Sequence, residues 1–369
     1  MAIKEHNNAE FLKPILWSSN SLGLIFIDKY SVPFWVCNMA INLVVVYFSV
    51  NYIQTKIAAN FDNCFKKNFC SDVVESVNRI IQPTGTLLLA LFNCRDLKRQ
   101  IILKTQSYLE HNKLPISWVH KYFVLIFIST YALITSFNLV VTPLVQLLLH
   151  FINSSGFLVT DILILTLCLA IQKSYENIND KLEAMVKLKY IDTELMNKII
   201  SQHWDLCKLI NDVNEAFGID LVIRMLYTVI RITMLLFTIL EYHSADELGQ
   251  YAMLVLIEHT FEVFMFAFKI FYTCYRGSQL TSEGKRTLII IREINLKLAL
   301  EERNRAAIKQ SLDIFTIRVN CQDIQVSASG FVTINLQLIQ SLVGLILTYW
   351  IVLVQFQGDQ DTKKPVPNT

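Results

Sequence analysis

Seven stretches of the chain, 33–53, 77–94, 120–142, 155–173, 219–242, 249–272 and 335–356, are predominantly apolar. Each is close to the roughly 20 residues that a helix needs to cross a bilayer core. The second carries Arg79, Gln82, Pro83 and Gly85, and such an interrupted helix is tolerated in a membrane only where neighbours satisfy its loosened backbone. Two charged stretches, 174–218 and 280–320, also repeat with a helical period. Leu182, Met185, Leu195, Ile199, Leu206 and Leu209 return to common faces, as apolar residues do on amphipathic helices. We read these stretches as helical extensions of the spans, and the pattern fits either a solvated hairpin or a platform on which subunits assemble. The predicted fold class is an all-α polytopic membrane protein.

Lys and Arg orient the spans, because the connections richest in them stay in the cytoplasm. There are five in 95–118, five in 174–218 and nine in 273–334, against none in 143–154 and 243–248. The loop 54–76, with three Lys, is a partial exception. The resulting layout has a cytoplasmic N-terminal segment 1–32, spans one to four over 33–173 and a cytoplasmic anchor region 174–218. Spans five and six follow over 219–272, then a cytoplasmic extension 273–334, the last span 335–356 and an extracellular tail 357–369. This arrangement is inverted relative to a G-protein-coupled receptor. The first span is expected to serve as an uncleaved signal-anchor. The single N-x-S/T sequon, at Asn153, falls in a connection predicted outside, where glycosylation takes place.

Composition agrees with lipid: 53% hydrophobic residues, 17% charged and a mean hydropathy of +0.41. A net charge of +2 without a Lys/Arg-rich aromatic patch gives no reason to expect a nucleic-acid partner. Eight cysteines are scattered without metal-ligand spacing. Cys64 and Cys70 share the first predicted extracellular loop, an oxidising place where a disulfide can form. Glu258, His259 and Glu262 do not make a metal site, since consecutive residues diverge around the helix and no second helix supplies a matching set. No P-loop, nucleophile elbow or dinucleotide fingerprint is found, and neither enzyme activity nor a cofactor is expected.

The last span separates its polar residues from its apolar ones. At about 100° per residue, Gln337, Ser341, Gly344, Thr348 and Gln355 fall on one narrow stripe. Trp350 and the Ile, Leu and Val residues occupy the rest. Such a stripe suits a water-filled pore lined by amides and hydroxyls, with weak cation selectivity. Small, weakly polar stripes also mediate dry helix packing in membranes, and the pattern alone leaves both readings open.

Thr348-Tyr349-Trp350-Ile351-Val352-Leu353-Val354-Gln355-Phe356 resembles the carboxy-terminal signature of insect gustatory receptors: Thr-Tyr, five apolar residues, then Gln-Phe. Leu312 to Phe315 and Ser327 to Asn335 resemble that family's approach to the final span, and Asn214-Glu215-Ala216-Phe217-Gly218 its fifth-span entrance. The resemblance implies a ligand-gated nonselective cation channel in the plasma membrane of chemosensory neurons. It would be built from four like or unlike gustatory subunits around an axis lined by the last helix. The Gln-Phe pair, here Gln355 and Phe356, would contribute to the gate, with Phe356 as a dewetting plug. Tyr349, off the stripe, would pack behind the pore wall.

Ionisable residues within spans are costly and mark function by default. Arg79, Asp161, Arg231, Glu258 and His259, with Tyr131, Thr135, Tyr242 and Tyr251, are placed in the outer halves of spans two to six and form a candidate ligand cavity. Internal pairing that fixes helix register is the competing reading for Asp161, Arg231 and Glu258. Sugar-tuned members of the family often carry an acid after Thr-Tyr. Trp350 in that place turns the expectation toward a bitter or plant-secondary-compound tastant. An odorant-receptor-type channel is the nearest rival reading, followed by a G-protein-coupled receptor.

Overall fold

The computed structural model describes residues 95–112, 144–188, 193–243, 250–300, 306–321 and 324–361, with further helical positions scattered through 36–54, at 84 and through 125–129. The described elements are α1 (Arg95–Asn112), α2 (Leu144–Leu188), α3 (Thr193–His243), α4 (Gln250–Leu300) and α5 (Ala306–Cys321). They are followed by β1 (Ser327–Ala328), β2 (Val332–Thr333) and α6 (Leu336–Asp361). The fold is all-α and that of a polytopic membrane protein, with one small hairpin among the described residues. Stretches long and apolar enough to cross a membrane lie within α2, α3 and α6.

Three helices are far longer than a bilayer is thick. α2 has 45 residues and α3 and α4 have 51 each, whereas about 20 suffice to cross the hydrocarbon. The remainder continues as helix beyond the apolar stretches. α2 runs unbroken to Leu188, α3 begins at Thr193, and α4 continues to Leu300 before α5 returns. The apolar residues that recur along 174–218 explain why. Leu182, Met185, Ile199, Leu206 and Leu209 are buried in the common core, with Leu195 packed against it.

The backbone before the fourth apolar stretch differs from expectation. The connection predicted over 143–154 is helical from Leu144, so the backbone at Asn153 belongs to α2 instead of a loop. The segment Leu144 to Phe151 is rich in good helix formers, and Pro143 stands just before it, where proline's fixed φ favours a helix start. Its lack of Lys and Arg reads as sidedness and carries no information about regularity.

Tyr175, Phe217 and Phe315 are among the largest fully buried side chains and belong to one continuous core drawn from α2, α3, α4 and α5. Buried Asn179 of α2 ties to α4 through its amide: Nδ2 donates to the Glu283 carbonyl at 2.9 Å and Oδ1 accepts from Thr287 at 2.7 Å. A polar group so satisfied fixes helix register without the cost of an orphan.

The hairpin that leads into α6 follows from its sequence. Ser329 (φ 52°) and Gly330 (φ 74°) both occupy the left-handed region, as the two central residues of a type I′ turn require, and Phe331 completes the three-residue connection between paired Ala328 and Val332. The Phe331 N–H donates to the Ala328 carbonyl at 3.0 Å to close it. Gly218 of α3 is what lets this turn approach, since a Cβ there would stand 2.5 Å from Ser329 N. Asn335 then caps α6, its Oδ1 accepting from Leu338 N–H at 3.1 Å.

Candidate functional site: the last helix and the buried charges beside it

α6 touches the rest of the chain along one side only. Ile346 is buried, and Leu338, Ile339 and Leu342 pack against the core. At about 100° per residue this side lies opposite the polar stripe, whose residues Gln337, Ser341, Gly344, Thr348 and Gln355 are all exposed. Exposed apolar shoulders flank the stripe: Val343 and Leu347 on one side, Leu345, Tyr349 and Val352 on the other. Trp350 is half-buried on the packed side. The backbone at Phe356 continues the helix, and its side chain lies outside the described residues.

Two details bear on what the stripe does. A Cβ at Gly344 would meet nothing within 4 Å, so no close approach within the chain requires the glycine. The Thr348 hydroxyl donates to the Gly344 carbonyl at 2.8 Å, which satisfies it inside its own helix and leaves an oxygen lone pair facing outward.

Across α2, α3 and α4 stands a ladder of buried and part-buried ion pairs. Arg231 of α3 grips Glu262 of α4 through three contacts of 2.8–3.0 Å, the fork geometry that makes Arg–carboxylate pairs strong. Seven residues before Arg231 on α3 and seven after Glu262 on α4, Arg224 and Lys269 share the carboxylate of Asp161 from α2, at 3.2 and 2.5 Å. Two helical turns separate the rungs, about 10 Å. On the α1 side, Lys98 pairs with Asp220 at 2.8 Å and lies over the Phe217 ring.

The sequence-chosen cavity residues divide. Asp161 and Arg231 occupy different rungs, and neither is the other's partner. Glu258 stands one turn before Glu262 on α4, and His259 is half-buried beside it. Tyr242 and Tyr251 lie at the facing ends of α3 and α4, with side chains outside the described residues. Arg79, Tyr131, Thr135, Cys64 and Cys70 lie outside the described residues altogether. Reasoning from sequence missed Arg224, Lys269, Lys98 and Asp220. The signal was present in the matched seven-residue spacings 224/231 and 262/269, which place residues on one helix face.

In the extensions, His203 stands edge-on between Tyr175 and Phe315, at 5.4 and 5.1 Å between ring centres. Burial pushes its pKa down to about 4. Burial likewise raises the neighbouring Cys207 thiol to about 11, opposed by the Tyr175 hydroxyl 3.3 Å away. Neither group is charged near neutrality. Among the described residues, no three His, Cys, Asp or Glu side chains gather as a metal shell would require.

The profile of the 7tm chemosensory receptors matches residues 28–358. The chain belongs to the 7tm chemosensory receptor family. Relatives include the odorant receptor coreceptor of Aedes aegypti, 23% identical over 162 residues, which are 43% of this chain and 30% of that one. The coreceptor of Harpegnathos saltator is 24% identical over the same shares. The match therefore spans under a third of these relatives' length. In fold, the chain superposes on an insect olfactory receptor from Machilis hrabei with a TM-score of 0.70 at 11% identity, covering 96% of this chain and all of the other. The same receptor in complex with eugenol gives 0.68 at 13% identity, covering 95% and 100%.

Proposed function

We propose that this family member is a subunit of a ligand-gated, nonselective cation channel, in which four last helices surround a water-filled axis and a small molecule opens the path. The observation that carries the reading is the exposed polar stripe of α6, diametrically opposite the face that packs on its own subunit. Apolar shoulders on both sides suit contact with neighbouring copies, and the stripe between them then faces the centre. A stripe evolved for packing within the chain would be covered, and this one is not.

The Thr348-Tyr349 and Gln355-Phe356 signature favours a gustatory-type subunit with a bitter or plant-derived tastant, at the plasma membrane of a chemosensory neuron. In this reading the N-terminus is cytoplasmic and the C-terminus extracellular. Gln355 and Phe356 form the gate, and Glu258, His259, Tyr242 and Tyr251 are candidates for ligand contact above the Arg231–Glu262 rung. A second reading, an odorant-receptor-type subunit, is favoured by relatives named as odorant receptor coreceptors and by the eugenol-bound structural neighbour.

Expression in oocytes, alone and with an odorant coreceptor, tests both. Two-electrode recording against sugars, bitter compounds and volatile phenols should give currents that survive G-protein blockade. Currents from the chain alone with bitter compounds support the gustatory reading, and currents requiring the coreceptor and volatile ligands support the other. Surface-expressed protein silent under every condition contradicts the channel proposal.

A further inference from the structure

The rungs on α4 continue for a third step. Glu262, Lys269 and Arg276 are spaced seven apart on one face, and the third has no carboxylate partner among the described residues. Arg276 is only 7% exposed. Its Nε and Nη2 both donate to the Tyr272 hydroxyl, at 3.0 and 2.8 Å, and that phenol is its one hydrogen-bonding partner among the described residues. Its guanidinium carbon lies 4.9 Å from the Tyr272 ring centre and 5.7 Å from that of Tyr275. A guanidinium offers five N–H donors, so several remain for an acceptor.

The charge balance points the same way. Among the described residues, Lys98, Arg224, Lys269 and Arg276 are buried, against buried Asp161 and Asp220, an excess of two positive charges. Buried charge without a counter-charge is strongly unfavourable. Arg276 lies four residues past the sixth apolar stretch, 249–272, at the depth where lipid headgroups meet protein and where Tyr and Arg collect. Leading to it along α4 is an exposed aromatic strip. Phe264 is 65% and Phe271 50% exposed, and Phe271 stacks on Tyr275. From Phe264 to Tyr275 the strip runs about 16 Å at the helical rise, a length that accommodates much of an acyl chain.

We propose that Arg276 and Tyr275 form a binding site for an anionic phospholipid, on the side of the membrane where the helical extensions lie. The lipid phosphate accepts from the free N–H groups of Arg276, as Arg–phosphate pairs do, and an acyl chain lies along Phe271 and Phe264. The site rests on the expectation that the sixth apolar stretch, 249–272, crosses the membrane and not on ion conduction.

The test uses full-length protein in neutral detergent, stripped of lipid and then offered dioleoyl phosphatidic acid or dioleoyl phosphatidylcholine, with retained lipid counted by native mass spectrometry. Wild type should hold phosphatidic acid over phosphatidylcholine, and Arg276→Gln should cut that preference about fivefold, the factor equivalent to one basic contact at a membrane surface. Arg276→Lys should keep part of it. Equal retention of the two lipids by wild type overturns the proposal without recourse to any variant. Undiminished preference in Arg276→Gln overturns the assignment of Arg276. Complete displacement of phosphatidic acid by inorganic phosphate identifies a soluble anion as the occupant and overturns the lipid. A protein that shows the lipid preference yet conducts no ions contradicts only the channel reading.

Discussion

Asn214 lies beside Ser327 as one strand lies beside another: its Oδ1 accepts from the Ser327 N–H and its Nδ2 donates to the Gln325 carbonyl, both at 2.9 Å. One side chain of α3 thus holds the hairpin from which α6 departs. Asn214→Leu removes both bonds and leaves two backbone groups short, at about 1–3 kcal/mol each where burial is complete. We expect a lower unfolding temperature in detergent and a shifted ligand threshold. Asn214→Asp keeps the acceptor and should retain the larger part of both.

The two glycines Gly218 and Gly344 should respond oppositely to alanine. At Gly218 the new Cβ would stand 2.5 Å from Ser329 N, in backbone that cannot yield cheaply, whereas at Gly344 it meets nothing within the chain. Gly218→Ala should reduce surface expression, read by biotinylation. Gly344→Ala should fold and traffic normally and change unitary conductance, read in single-channel recordings.

The rungs make a charge prediction. Asp161→Asn leaves Arg224 and Lys269 facing each other without their shared carboxylate. Removing one partner of a buried pair costs about 3–5 kcal/mol, and thermal midpoints of the purified protein should fall accordingly. For Arg231 and Glu262, each charge reversal alone should be as harmful and the double reversal Arg231→Glu with Glu262→Arg should recover much of the loss. A double reversal no better than either single would place the stabilisation elsewhere.

Folding lowers the His203 pKa from 6.5 to about 4, so between these values the unfolded chain binds the extra proton. Stability therefore rises with pH across this window. Acidification from about pH 7 to pH 5 should lower the thermal midpoint. His203→Phe, which suits the edge-on setting between Tyr175 and Phe315, should weaken that dependence, and the difference between the two proteins isolates the imidazole.

The fourth, fifth and last apolar stretches and the polar stripe were legible because a bilayer imposes a length and a helix a period, and both are local. The signature pieces around Asn214 and Ser327 were visible as separate motifs. Their junction was not, since 113 residues separate the hydrogen-bonded pair and no local rule joins them. The ladder was half legible. Asp161 and Arg231 are conspicuous as charges in apolar runs, but their partners depend on which helices adjoin. Lys269 and Arg224 sit near span ends, where a long basic side chain usually reaches the interface and draws no notice. Asn153 shows the reverse: a break between two apolar stretches was read as a loop, while the backbone there obeys helix propensity.

The most direct test of the central claim is cysteine accessibility along α6. Ser341→Cys and Thr348→Cys on the stripe, and Leu342→Cys and Ile346→Cys on the packed side, are exposed to a charged thiosulfonate reagent while ligand-evoked or basal current is recorded, with wild type as the control for native thiols. The account predicts rapid, lasting block at 341 and 348 and none at 342 and 346. Equal modification on both sides, or block confined to the packed side, would contradict a pore lined by this stripe.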